Sequence, residues 1–85
     1  MSAVKYFKDK GLSRVRSDLQ IVAENGFNSF FTQEFVDELK RLVKSHELVM
    51  SWGGLADAKV AASIGRHKKY LKKAIADVES CTNAT

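Results

Sequence analysis

Residues 57–76 have the sequence "DAKVAASIGRHKKYLKKAIA", and this stretch decides which fold the chain is expected to adopt. An alanine-rich segment ends at Gly65, and residues 66–73 then contain four lysines and one arginine. Because glycine tolerates the backbone conformations of a tight turn, the stretch predicts two short helices, 55–64 and 67–79, joined at Gly65. The apolar residues of the second helix share one stripe: Leu71, Ala74, Ile75 and Val78.

The first third of the chain predicts further helix, with one alternative. Residues 2–9 form a short amphipathic segment that Gly11 ends, and Ser13 is placed to cap a helix that ends near Gly26. An Asn-Gly pair between two apolar stretches is also a hairpin signal, so a β-hairpin within 19–31 is the competing interpretation. The helix is favoured because apolar and polar residues do not alternate cleanly before this pair.

A long helix, 33–52, is predicted in the middle of the chain. Thr32 is a suitable N-cap, and Gly53 and Gly54 are expected to end the helix. Its apolar stripe contains Phe35, Leu39, Leu42, His46 and Val49, flanked by Val36, Val43 and Met50. Trp52 is expected to fill the core at the corner. The predicted fold is all-α: a single domain, 1–85, of about four to five helices with a disordered tail at about 80–85.

Composition excludes several classes of protein. The chain has 85 residues, no proline and 45% hydrophobic residues, which is typical of one small globular domain. It has neither an apolar run of about 18 residues nor an apolar leader, so no membrane contact and a cytoplasmic location are expected. Candidate metal ligands are limited to His46, His67 and Cys81 besides carboxylates, at no recognisable ligand spacing. No catalytic motif is present, so we expect neither an enzyme nor a cofactor.

The positive charge is concentrated in one segment. The formal net charge is +4, from 14 basic and 10 acidic residues. Arg66 and four nearby lysines supply five positive charges, so the rest of the chain sums to −1. A local basic patch on a nearly neutral protein indicates contact with an anionic partner.

The stretch from Asp57 to Ala76 resembles a helix-turn-helix DNA-binding motif. In that family, an apolar residue and then a small one lie in the first helix, an apolar residue and a glycine lead into the turn, and the second helix has two inward positions. The matching residues are Val60, Ala61, Ile64, Gly65, Leu71 and Ala74, with Ile75 adjacent. Arg66 stands where the family usually has an apolar residue. The match covers about a quarter of the chain and implies a C-terminal helix-turn-helix at about 55–79.

The resemblance implies a function and a set of site residues. Helix 67–79 would enter the major groove of double-stranded DNA, as in a small bacterial, phage or plasmid transcriptional regulator. The implied DNA-binding residues are Arg66, His67, Lys68, Lys69, Lys72 and Lys73 on or beside this helix, with Lys59 and Ser63 on the first. Lysine usually contacts phosphate, so the direct base code should be modest. Such proteins often bind as symmetric pairs, and the aromatic stretches "YFKDKG" and "FNSFF" are either a homodimer surface or part of the monomer core.

Two other functions compete with DNA binding. A protein-binding adaptor or inhibitor could dock the same basic face on an acidic partner, and it should bind no duplex at physiological salt. An RNA-binding regulator could use the same lysines without groove insertion, and it should prefer single-stranded or A-form substrates.

Overall fold

The computed structural model describes residues 2–65 and 69–82, and every regular element in these ranges is a helix. The four helices are α1 (Ala3–Asn25), α2 (Gln33–Ser51), α3 (Leu55–Ile64) and α4 (Lys69–Thr82). The prediction of an all-α fold is therefore confirmed for the described residues. The chain forms two compact units, Met1–Val43 and Lys44–Thr85, so the predicted single domain stays a prediction.

Glycines interrupt and end α1 where the sequence predicts. Gly11 has a φ of 84°, which breaks the helical backbone inside α1 and separates its first two turns from the rest. Gly26 has a φ of 87°, and its N–H donates to the carbonyl of Val22 over 2.7 Å. Both angles lie in the region that favours glycine. The hairpin alternative for 19–31 is wrong, because residues up to Asn25 are helical and no described residue belongs to a strand.

Four aromatic rings form a cluster in the first unit. The ring centre of Tyr6 lies 5.9 Å from Phe30, 6.0 Å from Phe31 and 5.5 Å from Phe35, each in an edge-to-face arrangement. Such pairs add about 0.5–1.5 kcal/mol beyond the apolar area they bury. Tyr6 and Phe7 are buried, whereas Phe30 is 53% exposed. The aromatic stretches are thus divided between the core and the surface.

A buried hydrogen-bonded group fixes the phenol of Tyr6. The Tyr6 hydroxyl donates to Oδ2 of Asp18, and Arg14 Nε lies 3.2 Å from the other carboxylate oxygen. Burial, followed by the hydrogen bond and the negative charge of Asp18, raises the pKa of Tyr6 to about 12, against an opposing effect of Arg14. The carboxylate is buried but satisfied on both oxygens, as a buried charge requires.

The long helix α2 has the predicted N-cap and part of the predicted apolar stripe. Within that stripe Phe35 and His46 are only half-buried, and the flanking Met50 is 64% exposed. The Phe35 N–H donates to Thr32 Oγ1 over 3.3 Å, and Gly53 and Gly54, with φ of 99° and 113°, follow the last turn. The buried residues on α2 are Val36, Leu39, Leu42, Val43, Ser45 and Val49. The core position predicted for Trp52 is wrong, because this residue lies in the turn beyond the helix and is 36% exposed.

The second unit has its own apolar cluster. Ala58 and Ala62 of α3 face α4, and the small side chains allow the two helices to approach closely. The remaining buried members are Val49 of α2 and Leu71, Ala74, Ile75 and Val78 of α4. Leu71 is fully buried, and such a side chain contributes about 1.5–3 kcal/mol by leaving water. The inward stripe predicted for the second motif helix is therefore confirmed.

The end of α4 differs from the prediction. Residues 80–82 are helical, so a disordered tail that begins at about 80 is wrong for these three residues. Cys81 is buried, because it continues the inward stripe of Ala74 and Val78 one turn further. Residues 83–85 lie outside the described residues.

Candidate nucleic-acid interface

One face of α4 points away from its core and carries three lysines. A helix advances 100° per residue, so the residues opposite the buried stripe are those at three- and four-residue spacing from Lys69. They are Lys69, Lys72, Lys73, Ala76 and Ser80, all exposed, and we call this set the lysine face. The acidic residues of α4, Asp77 and Glu79, border this set on its two sides.

The described acidic residues of α4 bond with other helices. Asp77 accepts a hydrogen bond from Ser45 Oγ of α2 over 2.7 Å. Glu79 Oε2 lies 2.8 Å from Lys59 Nζ of α3. In the part of the chain that the structure describes, none of the lysines at 69, 72 and 73 has an ion-pair partner. Their charges are therefore available to an anion from solution.

Helix stability does not explain where these lysines lie. They occupy the first two described turns of α4, in which no residue is acidic. Lys69 and Lys73 are four residues apart, and a like-charged pair at this spacing destabilises an isolated helix by about 0.2–0.5 kcal/mol. The lysine face is thus better suited to binding an anion than to stabilising the isolated helix.

The structure describes five of the eight predicted DNA-binding residues. Lys69, Lys72 and Lys73 lie together on the lysine face, while Arg66, His67 and Lys68 lie outside the described residues. Lys59 forms the salt bridge with Glu79, so a phosphate contact by Lys59 requires this bridge to open. Ser63 is exposed, and its hydroxyl donates to the Val60 carbonyl over 2.9 Å within α3. Its oxygen can still accept a hydrogen bond, but phosphate needs a donor.

The orientation of α3 departs from the helix-turn-helix resemblance. Val60 is 60% exposed and Ile64 is 80% exposed, although the resemblance treats both as apolar positions of the motif. Ala58 and Ala62 are the buried residues of α3 instead, with Ala61 only half-buried. The physical reason is that Val60 and Ile64 share the helix face opposite the two buried alanines. The inward positions predicted for the second helix are therefore buried, whereas Val60 and Ile64 of the first helix are exposed.

The bond between Ser45 and Asp77 was not predicted from the sequence. Ser45 is buried between the apolar positions 42 and 49 of α2, and its hydroxyl requires a partner there. A serine within an apolar stripe is the only sequence signal of such a bond. The partner, 32 residues further along the chain, can be found only from the structure.

Other kinds of site find little support among the described residues. No group of three or more His, Cys, Asp or Glu side chains in residues 2–65 and 69–82 is arranged to hold a metal ion. Over the same residues, no helix combines the length and the apolar character needed to cross a bilayer. In comparisons with known proteins, no family model, curated protein or solved structure matches the chain.

Proposed function

We propose that the chain binds duplex DNA by placing the lysine face of α4 in the major groove. The observation that supports this proposal best is the lysine face itself. Three exposed lysines lie without ion-pair partners among the described residues, and both neighbouring acids, Asp77 and Glu79, bond elsewhere. A small transcriptional regulator that acts by occupying its DNA site is the biological role that fits this interface.

The shape of the lysine face suits a groove. The charged side chains lie at one end of α4, and Ala76 and Ser80 continue the same face with small side chains. A helix with small outward residues fits the major groove, which is about 12 Å wide, without a bulky group to hold it away. The lysines at 69, 72 and 73 would contact phosphates on the groove walls. Arginine, asparagine and glutamine are the side chains that best read base edges, and none of them is on this face. We therefore expect tight binding to DNA with little discrimination between base sequences.

Fluorescence anisotropy over a salt series tests this proposal. Each phosphate that a lysine neutralises contributes about 0.9 to the slope of log K against log salt. Lys69→Ala with Lys72→Ala should therefore weaken duplex binding and reduce the slope by about 2. The matched control is Lys40→Ala with Lys44→Ala, which removes the same charge from exposed positions of α2. Equal slopes for the two double variants would contradict the proposal, because net charge alone would then explain binding.

A protein-binding role is the second candidate function, and the outward face of α3 favours it. Val60 and Ile64 are exposed apolar side chains one turn apart. Exposed apolar residues in a unit that also carries a basic face are typical of a protein that docks on an acidic partner. This alternative predicts no duplex binding at physiological salt. An RNA-binding regulator, the third possibility, predicts tighter binding to single-stranded or A-form probes than to duplex DNA of the same length.

The DNA-binding proposal includes a symmetric dimer of the chain. Helix-turn-helix proteins commonly occupy two half-sites about one helical turn apart, which requires two copies of the reading helix. Phe27 and Phe30 are more than half exposed and support a candidate dimer surface in the first unit. Sedimentation equilibrium of the chain and of Phe27→Ser with Phe30→Ser tests this: dissociation of a dimer in the variant supports the surface, and a monomeric wild type contradicts it.

A further inference from the structure

A pocket in the first unit combines aromatic rings with carboxylates. It has a volume of about 390 Å³, within the range of small-molecule sites, and opens to solvent. The lining residues are Ser29, Phe30, Thr32, Glu34, Phe35 and Glu38. All six lie between residues 29 and 38, so the pocket is built by one loop and the first turns of α2.

The two rings of the pocket are held in place by other contacts. Phe30 and Phe35 have ring centres 5.7 Å apart, and both rings also contact Tyr6. The loop that presents Phe30 is fixed by Asn28, whose Oδ1 accepts the Phe30 N–H over 2.9 Å. Phe30 remains 53% exposed despite this order. A ring that is exposed but held in one position can bind a ligand without a large loss of conformational entropy.

The carboxylates give the pocket its charge. Glu34 and Glu38 are one turn apart on α2, exposed, and next to Phe35 in the lining. The N-terminal end of α2 contributes about half a positive charge, and the Thr32 hydroxyl already caps it. The two full negative charges of Glu34 and Glu38 outweigh this half charge, so the pocket is negative. The faces of aromatic rings attract cations as well. The adjoining cluster already shows such a contact, since Lys10 Nζ lies 6.0 Å from the ring centre of Tyr6.

We propose that this pocket binds a small organic cation, with a guanidinium or ammonium group on a short apolar chain. The cationic group would lie between the carboxylates of Glu34 and Glu38. The apolar chain would lie against the rings of Phe30 and Phe35, from which it displaces water. Rings and carboxylates together select for such a ligand, because an anion is repelled and an inorganic cation gains nothing from apolar walls. The inference does not rest on the lysine face, to which none of these residues belongs, although Phe30 is shared with the candidate dimer surface.

Titration with a matched pair of probes tests the proposal. The probes are butylguanidinium and its neutral counterpart butylurea, which have nearly the same shape. Backbone amide shifts in the NMR spectrum of the full chain report both affinity and location. We expect butylguanidinium to shift the amides of residues 29–38, with saturation at millimolar concentrations, and butylurea to bind at least about tenfold more weakly. Absence of these shifts at about 20 mM butylguanidinium, or equal binding of the two probes, would overturn the proposal.

Variants separate the contributions of charge and ring. Glu34→Gln with Glu38→Gln keeps the shape and should weaken butylguanidinium about tenfold or more, whereas Glu24→Gln, an exposed glutamate on α1, should have no effect. Phe30→Leu keeps an apolar side chain but offers less surface to the ligand's apolar chain, and it should weaken binding about two- to fivefold, the effect of losing about one methylene group of apolar contact. Both effects support the site. A double glutamine variant that binds like the wild type refutes it.

Discussion

Replacing Tyr6 with phenylalanine should lower the free energy of unfolding in a pH-dependent way. The Tyr6 hydroxyl donates to the buried carboxylate of Asp18, and a hydrogen bond to a charged group contributes about 1.5–3 kcal/mol. Asp18 retains Arg14 at 3.2 Å in the variant, so a loss near the middle of this range, about 2 kcal/mol, is expected at neutral pH. For an 85-residue chain this is a large part of the total stability.

The pH dependence follows from the raised pKa of Tyr6. Burial and Asp18 raise the pKa from 10.0 to about 12, so folding favours the protonated phenol. The corresponding stability is fully present below about pH 10 and is lost as the pH rises through about 12. A difference of about two pKa units amounts to about 3 kcal/mol. Because Tyr6→Phe has no phenol to titrate, its deficit of about 2 kcal/mol should shrink to nothing as the pH approaches 12.

Urea unfolding followed by helical circular dichroism, from about pH 7 to about pH 12, measures both effects. Lysines and other groups that titrate in this range are common to both proteins, so the difference between them isolates Tyr6. Tyr70→Phe is the control, because Tyr70 is 52% exposed on α4. A Tyr6→Phe variant as stable as the wild type at neutral pH would refute this reasoning. So would a deficit that stays constant up to about pH 12.

Two further predictions concern the second unit. Gly53→Ala should lower the free energy of unfolding by about 1–3 kcal/mol, because alanine is strained at a φ of 99° and the Asp57 carboxylate must move to make room for the added methyl group. Chemical denaturation measures this, with Gly26→Ala as control: φ there is 87°, but no atom lies within 4 Å of the new methyl group, so its loss should be smaller. The Cys81 thiol should react with a disulfide reagent at least about tenfold more slowly in the native chain than in urea, because it is buried on α4. Equal losses at the two glycines, or equal thiol reactivity in both conditions, would contradict these predictions.

Local signals in the sequence predict most of the fold. Gly11, Gly26 and Gly53 have positive φ where the chain was expected to leave a helix. Thr32 caps α2 as expected, because capping depends only on neighbouring residues. The inward stripe of α4 is equally clear, since apolar residues recur there at helical spacing among lysines. These features depend on interactions between residues that are close together in the chain, so they can be predicted from the sequence.

Features that depend on packing between helices were not predictable. The segment "LADAKVAASI" of α3 has apolar residues on every side, so periodicity cannot say which face is buried. The structure buries Ala58 and leaves Val60 exposed, although the motif resemblance gives Val60 as an apolar position. Likewise, the salt bridge between Lys59 and Glu79 joins two helices, and no local sequence pattern predicts it. The lysine face was predictable as a charged surface, but its freedom from acidic partners was not.

The most direct test of the central claim, that the lysine face contacts DNA, is the duplex affinity of Ala76→Glu. Ala76 is exposed in the middle of this face, so glutamate there would meet the phosphates with a bulky negative group without disturbing the core. Ala23→Glu, the same substitution at an exposed position of α1, is the control. DNA binding by the lysine face predicts at least about a tenfold loss of affinity for Ala76→Glu and little change for Ala23→Glu. Equal affinity of the two variants for duplex DNA would contradict it.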